Sequence, residues 1–406
     1  MNDIFKGVKV VELATFVAAA SASRFFADLG ADVIKVEAPS GDPIRFAAKN
    51  EGRPEGEAEN TTFDLDNANK RAVILNTKSK AGKEALLKLI SEADIFITNN
   101  REASLARNGL DYDTLHKMFP KLVFGIITGY GDEGPDKDLP GYDFTAFFAH
   151  GGVLGTLYQK GEHPMNLVPA FGDHQAGMYL AAGISAALYR AKTTGQGERV
   201  SVSLYHSAVY GMGLVVQASQ YGAEAMNYPM DRRLVPNPLM SPYLTKDGRF
   251  IEIAIPSYDP FFKSSCKALG LEQYIDDERY NTQEAQMAHP GEFFDIIEAK
   301  FAEKTAAEWK EILTAADMPF SVAQTWPEIL QDPQAWESGI LYKMHYDNGS
   351  ERALVRLPFV FRESGTPDYK RGPYLGEHTA EVLKDLGYSD EEIKAMLEAR
   401  DAVQHK

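Results

Sequence analysis

Short apolar runs alternate with helically spaced segments through the first half of the chain. VKVVEL (8–13) has the near-continuous apolar character of a strand buried on both faces. SASRFFADLG follows, with Phe25, Phe26 and Leu29 at helical spacing and Gly30 as a C-terminal stop. DVIKVE (32–37) and AVILN (72–76) read as the next strands. A helix over 80–93, the strand DIFITN (94–99), a helical stretch to Phe119 and the strand LVFGIIT (122–128) continue the series. Strands separated by helices of this length predict βαβ units and a parallel sheet. Ligands of such sheets bind where loops leave the carboxyl ends of the strands. An alanine-rich helix is predicted over 174–192, in which Gly177 and Gly183 are unfavourable unless close packing or a ligand requires them. TTGQGE ends it, and RVSVSLY is a further strand.

The pattern changes after about residue 225. YPMDRRLVPNPLMSP (228–242) is proline-rich and reads as a linker. YLTKDGRFIEIAI reads as a hairpin-like strand pair, followed by helical segments to about Ala315, and the tail from about 326 mixes short strands with a last helix, DEEIKAMLEAR. The fold class is therefore α/β, with a large parallel-sheet domain over 1–225, a linker and small α+β domain over 226–325, and a C-terminal return to the large domain over 326–406.

Composition narrows the functions available. The 406 residues carry a formal net charge of -16, which argues against a nucleic-acid-binding face. An anionic ligand must then be held by local cations or backbone N–H groups. The single cysteine, Cys266, excludes an intrachain disulfide and a Cys-based zinc site. The histidines form no H-x-x-x-H or H-E-x-x-H pattern, so no metal site is expected. MNDIFKGVKVVEL does not read as a signal peptide, and no run approaches the ~18 apolar residues of a membrane span. A cytoplasmic protein is expected.

TGYGDEGPDKDLPGYD (128–143) contains Gly129-x-Gly131-x-x-Gly134, the spacing of a dinucleotide-binding turn. That turn must open directly into a helix whose N–H groups hold a pyrophosphate. Here Pro135 and Pro140 follow, so a glycine-rich loop over a strand end is the better reading. No P-loop and no G-x-S-x-G elbow occur. Cys266 reads as a partly buried thiol. In AFGDHQAGMY (170–179), Asp173 precedes the long helix. It reads as an ordinary N-cap, or as a nucleophile kept ionised by the helix dipole and left accessible by small neighbours.

FFADLGADVIKVE, GDPIR, NANKRAVIL, TGYGDEGP, PGYDFTAFFAHGG, GDHQAGM and ALYRAKTTGQG together resemble the class III CoA-transferases, and the similarity runs to GPYLGEHTAEVLKDLGYSDEEI near the C-terminus. The resemblance implies a large Rossmann-like domain with a parallel sheet, a smaller domain, and a homodimer of interlocked chains. It implies Asp173 as the catalytic nucleophile, CoA thioesters as substrates, and no permanently bound cofactor or metal. It also suggests Phe16, Val17, Ala18, Asn99, Arg107 and Asn108 as CoA contacts, with Arg45, Lys70, Arg71 and Lys137 as cations for its phosphates. It places Tyr142, Asp143 and Phe147 in the substrate pocket. Within the family the motifs look most like the clostridial branch acting on (R)-2-hydroxy acids in amino-acid fermentation, whose members suggest a 2-hydroxyacyl-CoA dehydratase as an associate. Two features depart from the formyl-CoA members: Ala38 and Pro140 stand at basic positions, and VPNPLMSPY lacks their glycine-rich loop. The related 2-methylacyl-CoA racemases, the alternative reading, have G-H-D where this chain has GYD. Tyr142 is a poor replacement for an acid/base histidine. A CoA-binding protein without catalysis is the third reading, against which Asp173 in GDHQAGM speaks.

Overall fold

The computed structural model describes residues 3–222 and 228–404, so the domain boundary expected at 225/226 lies outside the described residues. The chain divides into two compact units: residues 1–153, 167–211 and 333–406, and residues 154–166 and 212–332.

In the larger unit, six strands are parallel: β1 (Lys9–Leu13), β2 (Asp32–Glu37), β3 (Arg71–Leu75), β4 (Ile95–Thr98), β5 (Val123–Thr128) and β6 (Arg199–Ser203). Their order is β3-β2-β1-β4-β5-β6, the doubly wound arrangement whose order reverses at β1 and β4. Val11 lies opposite both Ile34 and Phe96 at that reversal. The C-terminal strand Ala402–Val403 pairs antiparallel with β3, closing the edge. One face buries Val11, Val73, Phe96 and Phe124 against Leu86 and Ile90 of the helix Lys80–Ser91 and against Leu383 and Met396 of the last helices. Burial on both faces explains the unbroken apolar runs.

Small residues set the packing of two helices against each other: α1 (Ala18–Asp28) and the helix Phe171–Thr194. A Cβ at Gly177 would lie 1.9 Å from Ser21 Oγ and 2.7 Å from the Ala18 carbonyl oxygen. One at Gly183 would meet Val200 Cγ1 at 2.6 Å, and one at Gly125 in β5 would meet Ile184 Cδ1 at 2.5 Å. The two helix glycines are therefore packing requirements, and the glycine inside LVFGIIT admits Ile184.

The smaller unit holds the antiparallel sheet of β7 (Met240–Leu244), β8 (Phe250–Ala254) and β9 (Phe320–Val322). The hairpin begins at Met240, inside the stretch read as linker, because alternate residues Ser241 and Tyr243 turn into the core. Tyr243, Ile251, Phe293, Phe301 and Trp309 fill that core. Cys266 is buried there, and burial first, then the Glu272 charge, pushes its thiol up to about 12, which makes it inert at neutral pH. Among the described residues no helix is long and apolar enough to cross a membrane.

Alanine is the better helix former by about 1 kcal/mol. Gly177→Ala should nonetheless lower unfolding stability by about 1–3 kcal/mol through overpacking against Ser21 and Ala18. Urea melts of the two proteins check this; an unchanged midpoint would show that the two helices can separate freely.

Candidate active site

The loops that leave β1 and β4 are tied to each other at the order reversal. Asn99 accepts the Thr15 N–H at 3.2 Å and donates to the Thr15 carbonyl at 2.7 Å. Phe16 adopts a left-handed backbone, φ 61°, which a residue with a bulky side chain rarely takes. Its N–H is held by Asp42 Oδ1 at 3.0 Å. Asp42 is itself buried with its Oδ2 2.9 Å from Lys35 Nζ, and Lys35 reaches Glu12 at 2.6 Å. Val17 and Ala18 are buried at the start of α1, whereas the Phe16 ring is exposed and meets Tyr142 edge-on, 6.3 Å between centroids.

Three of the cations expected at CoA phosphates are committed elsewhere. Lys70 is buried, and its three donors go to Glu12 Oε2 at 2.7 Å, the Ala20 carbonyl at 2.9 Å and Asn67 Oδ1 at 3.0 Å. Burial pushes Glu12 up, but Lys35 and Lys70 outweigh it and hold the carboxyl at about 2. Arg45 is buried in a two-pronged pair with Glu37, at 2.6 and 2.8 Å, and also binds Glu57 at 2.8 Å. Arg71 opens β3 at the amino edge of the sheet, away from the carboxyl ends, and binds Asp32, Glu381 and Asp385. No donor of Lys70 is left for a phosphate, and Arg71 faces the wrong edge. The family motifs placed these charges where a folded network, invisible in one sequence, consumes them. Arg107 and Asn108 lie on the short helix after β4, Arg107 exposed and Asn108 bonded back to Ser104, and Lys137 is exposed in the loop after β5.

That loop does not open into a helix after Gly134. A Cβ on Gly129 would lie 2.7 Å from Gly141 Cα, so the glycines let the loop fold back on itself. It leads to a π-helical segment, Asp143–His150, marked by the Gly151 N–H bond to the Ala146 carbonyl at 3.1 Å. Such segments recur at functional sites. The segment carries Asp143 to the amino end of the helix Phe171–Thr194, where Asp143 Oδ1 accepts the Gly172 N–H at 3.0 Å. Gly172 is required: a Cβ there would fall 2.2 Å from the Phe147 ring and 2.5 Å from Asp143 Oδ1. Phe147 is thus buried beneath the helix start and does not line an open face. The exposed aromatics around it are Phe16, Tyr142, Phe144 and Phe171.

Asp173 is not the N-cap. The cap position is Ala170, left-handed at φ 64° and without a side-chain bond, and Asp173 lies inside the first turn. It is partly buried, and its neighbour His174 bonds through Nε2 to the buried Asp66 Oδ1 at 3.1 Å. Burial first, then the Asp143 charge, pushes the Asp173 carboxyl up to about 7; His174 pulls it back and Asp66 adds to the rise. Burial and the neighbouring carboxylates thus work against ionisation at this helix start. Burial pulls His174 down, but the bond and charge of Asp66, with Asp173 and Asp143, raise it overall. Asp66 and His174 were not singled out in the sequence; the histidine within GDHQAGM was the only available signal. The cluster is a carboxyl with a value of about 7, beside an imidazole bonded to Asp66 and an exposed aromatic surface. It can act as a nucleophile or as a base. Among the described residues no cluster of His, Cys, Asp and Glu suited to a metal ion occurs.

A doubly wound sheet with a partly buried carboxyl of raised value at a helix start suits an α/β enzyme of group-transfer or proton-transfer type. The sequence model of CoA-transferase family III matches residues 5–379, and the chain belongs to that family. It is 53% identical, over all of this chain and 98% of the other, to a cinnamoyl-CoA:phenyllactate CoA-transferase from Clostridium sporogenes. It is 44% identical to a (R)-2-hydroxy-4-methylpentanoate CoA-transferase from Clostridioides difficile, over 96% of this chain and 97% of the other. A crystal structure of a CAIB/BAIF family protein from Brucella suis superposes with a TM-score of 0.81 at 28% identity, covering 95% of this chain and 100% of that one. The protein is a CoA-transferase of the type these relatives represent.

The raised Asp173 value sets the direction of a pH dependence. The folded chain favours the protonated carboxyl, so its stabilising contribution is full below about pH 4 and is lost as the pH rises through about 7. Asp173→Asn mimics the protonated form. Its melting temperature should match the wild type at pH 4 and exceed it by a degree or two at pH 8, ~1 kcal/mol in a chain of this size. Calorimetry at the two pH values tests this; a variant less stable at pH 8 would contradict the raised value.

Proposed function

We propose that this enzyme moves CoA from an enoyl-CoA, such as cinnamoyl-CoA or isocaprenoyl-CoA, to a (R)-2-hydroxy acid of the phenyllactate or 2-hydroxyisocaproate type, with Asp173 as nucleophile. The observation that carries the substrate class is the 53% identity, over the whole chain, to a relative named for cinnamoyl-CoA and phenyllactate. Exposed Phe16, Tyr142, Phe144 and Phe171 near the Asp173 helix start supply an apolar surface suited to an aromatic or branched acyl group.

In the proposed reaction the Asp173 carboxylate attacks the donor thioester carbonyl and the C–S bond breaks, giving an aspartyl–acyl anhydride and CoA thiolate. The thiolate attacks the aspartyl carbonyl, which releases the donor acid and leaves an aspartyl-CoA thioester. The acceptor carboxylate attacks that thioester, forming a new anhydride and freeing thiolate. Attack of the thiolate on the acceptor carbonyl then yields the new acyl-CoA and restores Asp173. One thioester replaces another, so no ATP is required. A carboxylate with a value near 7 is more basic, and hence more nucleophilic, than an ordinary aspartate. The anhydrides hydrolyse in water, so the bound site must be dry. Phe16, Val17, Ala18, Asn99, Arg107, Asn108 and Lys137 remain the proposed CoA contacts. A cytoplasmic homodimer serving amino-acid fermentation beside a 2-hydroxyacyl-CoA dehydratase completes the proposal.

Asp173→Ala should retain CoA binding within about threefold and lose at least ~10⁴-fold in kcat for transfer between cinnamoyl-CoA and phenyllactate, as expected when a covalent route is removed. Isothermal titration with CoA and a steady-state assay read the two quantities. Retained turnover would contradict the nucleophile. Solvent deuterium entering the acyl α-position without CoA transfer would favour the racemase reading.

A further inference from the structure

The amino end of the Phe171–Thr194 helix presents unpaired N–H groups, the usual partners for a side chain on the N-cap residue. Ala170 occupies that position and has no side chain able to accept them. Asp173, two residues inside the start, is free of any side-chain hydrogen bond to them, and its carboxyl has no backbone N–H among the groups that set its charge. The acceptor comes instead from the π-helical segment. Asp143 Oδ1 takes the Gly172 N–H at 3.0 Å, and the N–H groups of Ala170 and Asp173 also bear on this carboxylate. Burial pushes the Asp143 carboxyl up, and these N–H groups pull it part of the way back. Asp143 is 7% exposed, and its Oδ2 is buried without a hydrogen-bond partner. The approach is possible only because residue 172 has no Cβ, which would lie 2.5 Å from Asp143 Oδ1.

Resting on the assignment of Asp173 as nucleophile, we propose that Asp143 is the N-terminal cap of this helix and that it thereby acts as a positioning residue: it takes the N–H donors and the helix dipole, and leaves Asp173 a free carboxylate. Two carboxylates at one helix start compete for the same donors. N–H bonds to a carboxylate stabilise the anion and weaken it as a nucleophile; a carboxylate that holds none is the more reactive of the two. The fold gives the donors to Asp143 and leaves Asp173 unbonded. The negative charge of Asp143 further raises the basicity of Asp173. The groups facing Asp173 are Asp143 from the π-helical segment, Asp66 from the helix Thr61–Asn67, and His174 from its own helix. His174, bonded to Asp66, moderates the repulsion so that Asp173 still ionises near neutral pH.

Asp143→Asn tests this without removing the cap, because the amide oxygen can still accept the Gly172 N–H. It deletes the charge and returns the dipole to Asp173. With a wild-type limb at about 7, kcat/KM at pH 6 should retain about a tenth of its plateau. In Asp143→Asn the limb should move down by about one unit, so that about half of the plateau remains at pH 6. A limb that stays in place or moves up would overturn the proposal, since a merely structural role would not shift it. A thermal double-mutant cycle at pH 8 needs no activity. The gain in melting temperature from Asp173→Asn should shrink to less than half in the Asp143→Asn background; additive effects would overturn the coupling. Turnover by Asp173→Asn would defeat the nucleophile assignment alone, and the cycle would still test the cap. Asp143→Ala, which removes the acceptor, should melt lower than Asp143→Asn; equal melting of the two would show that Asp143 does not cap the helix.

Discussion

A helix start offers few N–H groups, and in this protein a carboxylate from another element takes that of Gly172. The Asp143–Gly172 bond at 3.0 Å joins the loop beyond β5 to the helix that carries Asp173. Much of the site's geometry serves that contact. Gly172 opens room for it, the buried Phe147 fills the space beneath, and the π-helical turn brings Asp143 into range. The helix in turn is registered by Gly177 against α1 and by Gly183 against β6. A shift of the helix along the sheet would break the Asp143–Gly172 bond and displace Asp173 together.

The opposite side of the site depends on a second set of buried charges. Glu12, Lys35, Lys70 and Asp42 are all removed from water and neutralise one another beneath the carboxyl ends of β1 and β2. Such networks add little net stability over an apolar core, yet breaking one partner is strongly unfavourable. Here the network ends at the Phe16 N–H and fixes an exposed ring in a strained backbone. The same charge balance decides the roles of both lysines: they build the floor of the site and are not available to its ligand.

The parallel sheet was legible in the sequence because β3, β4 and β5 are buried on both faces and carry nearly unbroken apolar runs. The order of those strands and the antiparallel C-terminal strand at the edge depend on pairings between distant residues, which periodicity does not encode. Asp173 was singled out in GDHQAGM through the family motif, but its place inside the first turn of the helix was not legible. Asp173 has the residue type of an N-cap and stands near a helix start, while the carboxylate that binds the helix's Gly172 N–H lies 29 residues before that glycine in the chain. Lys70, Arg71 and Arg45 have the residue type of phosphate ligands. Nothing in the linear pattern reveals that Glu12, Asp32 and Glu37 lie against them once the strands pair. In each case the misreading came from a partner supplied by tertiary structure.

The proposed mechanism requires that Asp173 form a covalent bond to the substrate. The most direct measurement is mass spectrometry of the enzyme incubated with cinnamoyl-CoA, quenched with hydroxylamine and digested, following the peptide that contains residues 170–190. Hydroxylamine cleaves an aspartyl anhydride or thioester and leaves a hydroxamate, so that modification is predicted on Asp173 alone. An unmodified Asp173 in enzyme shown to bind cinnamoyl-CoA and to transfer CoA would contradict it.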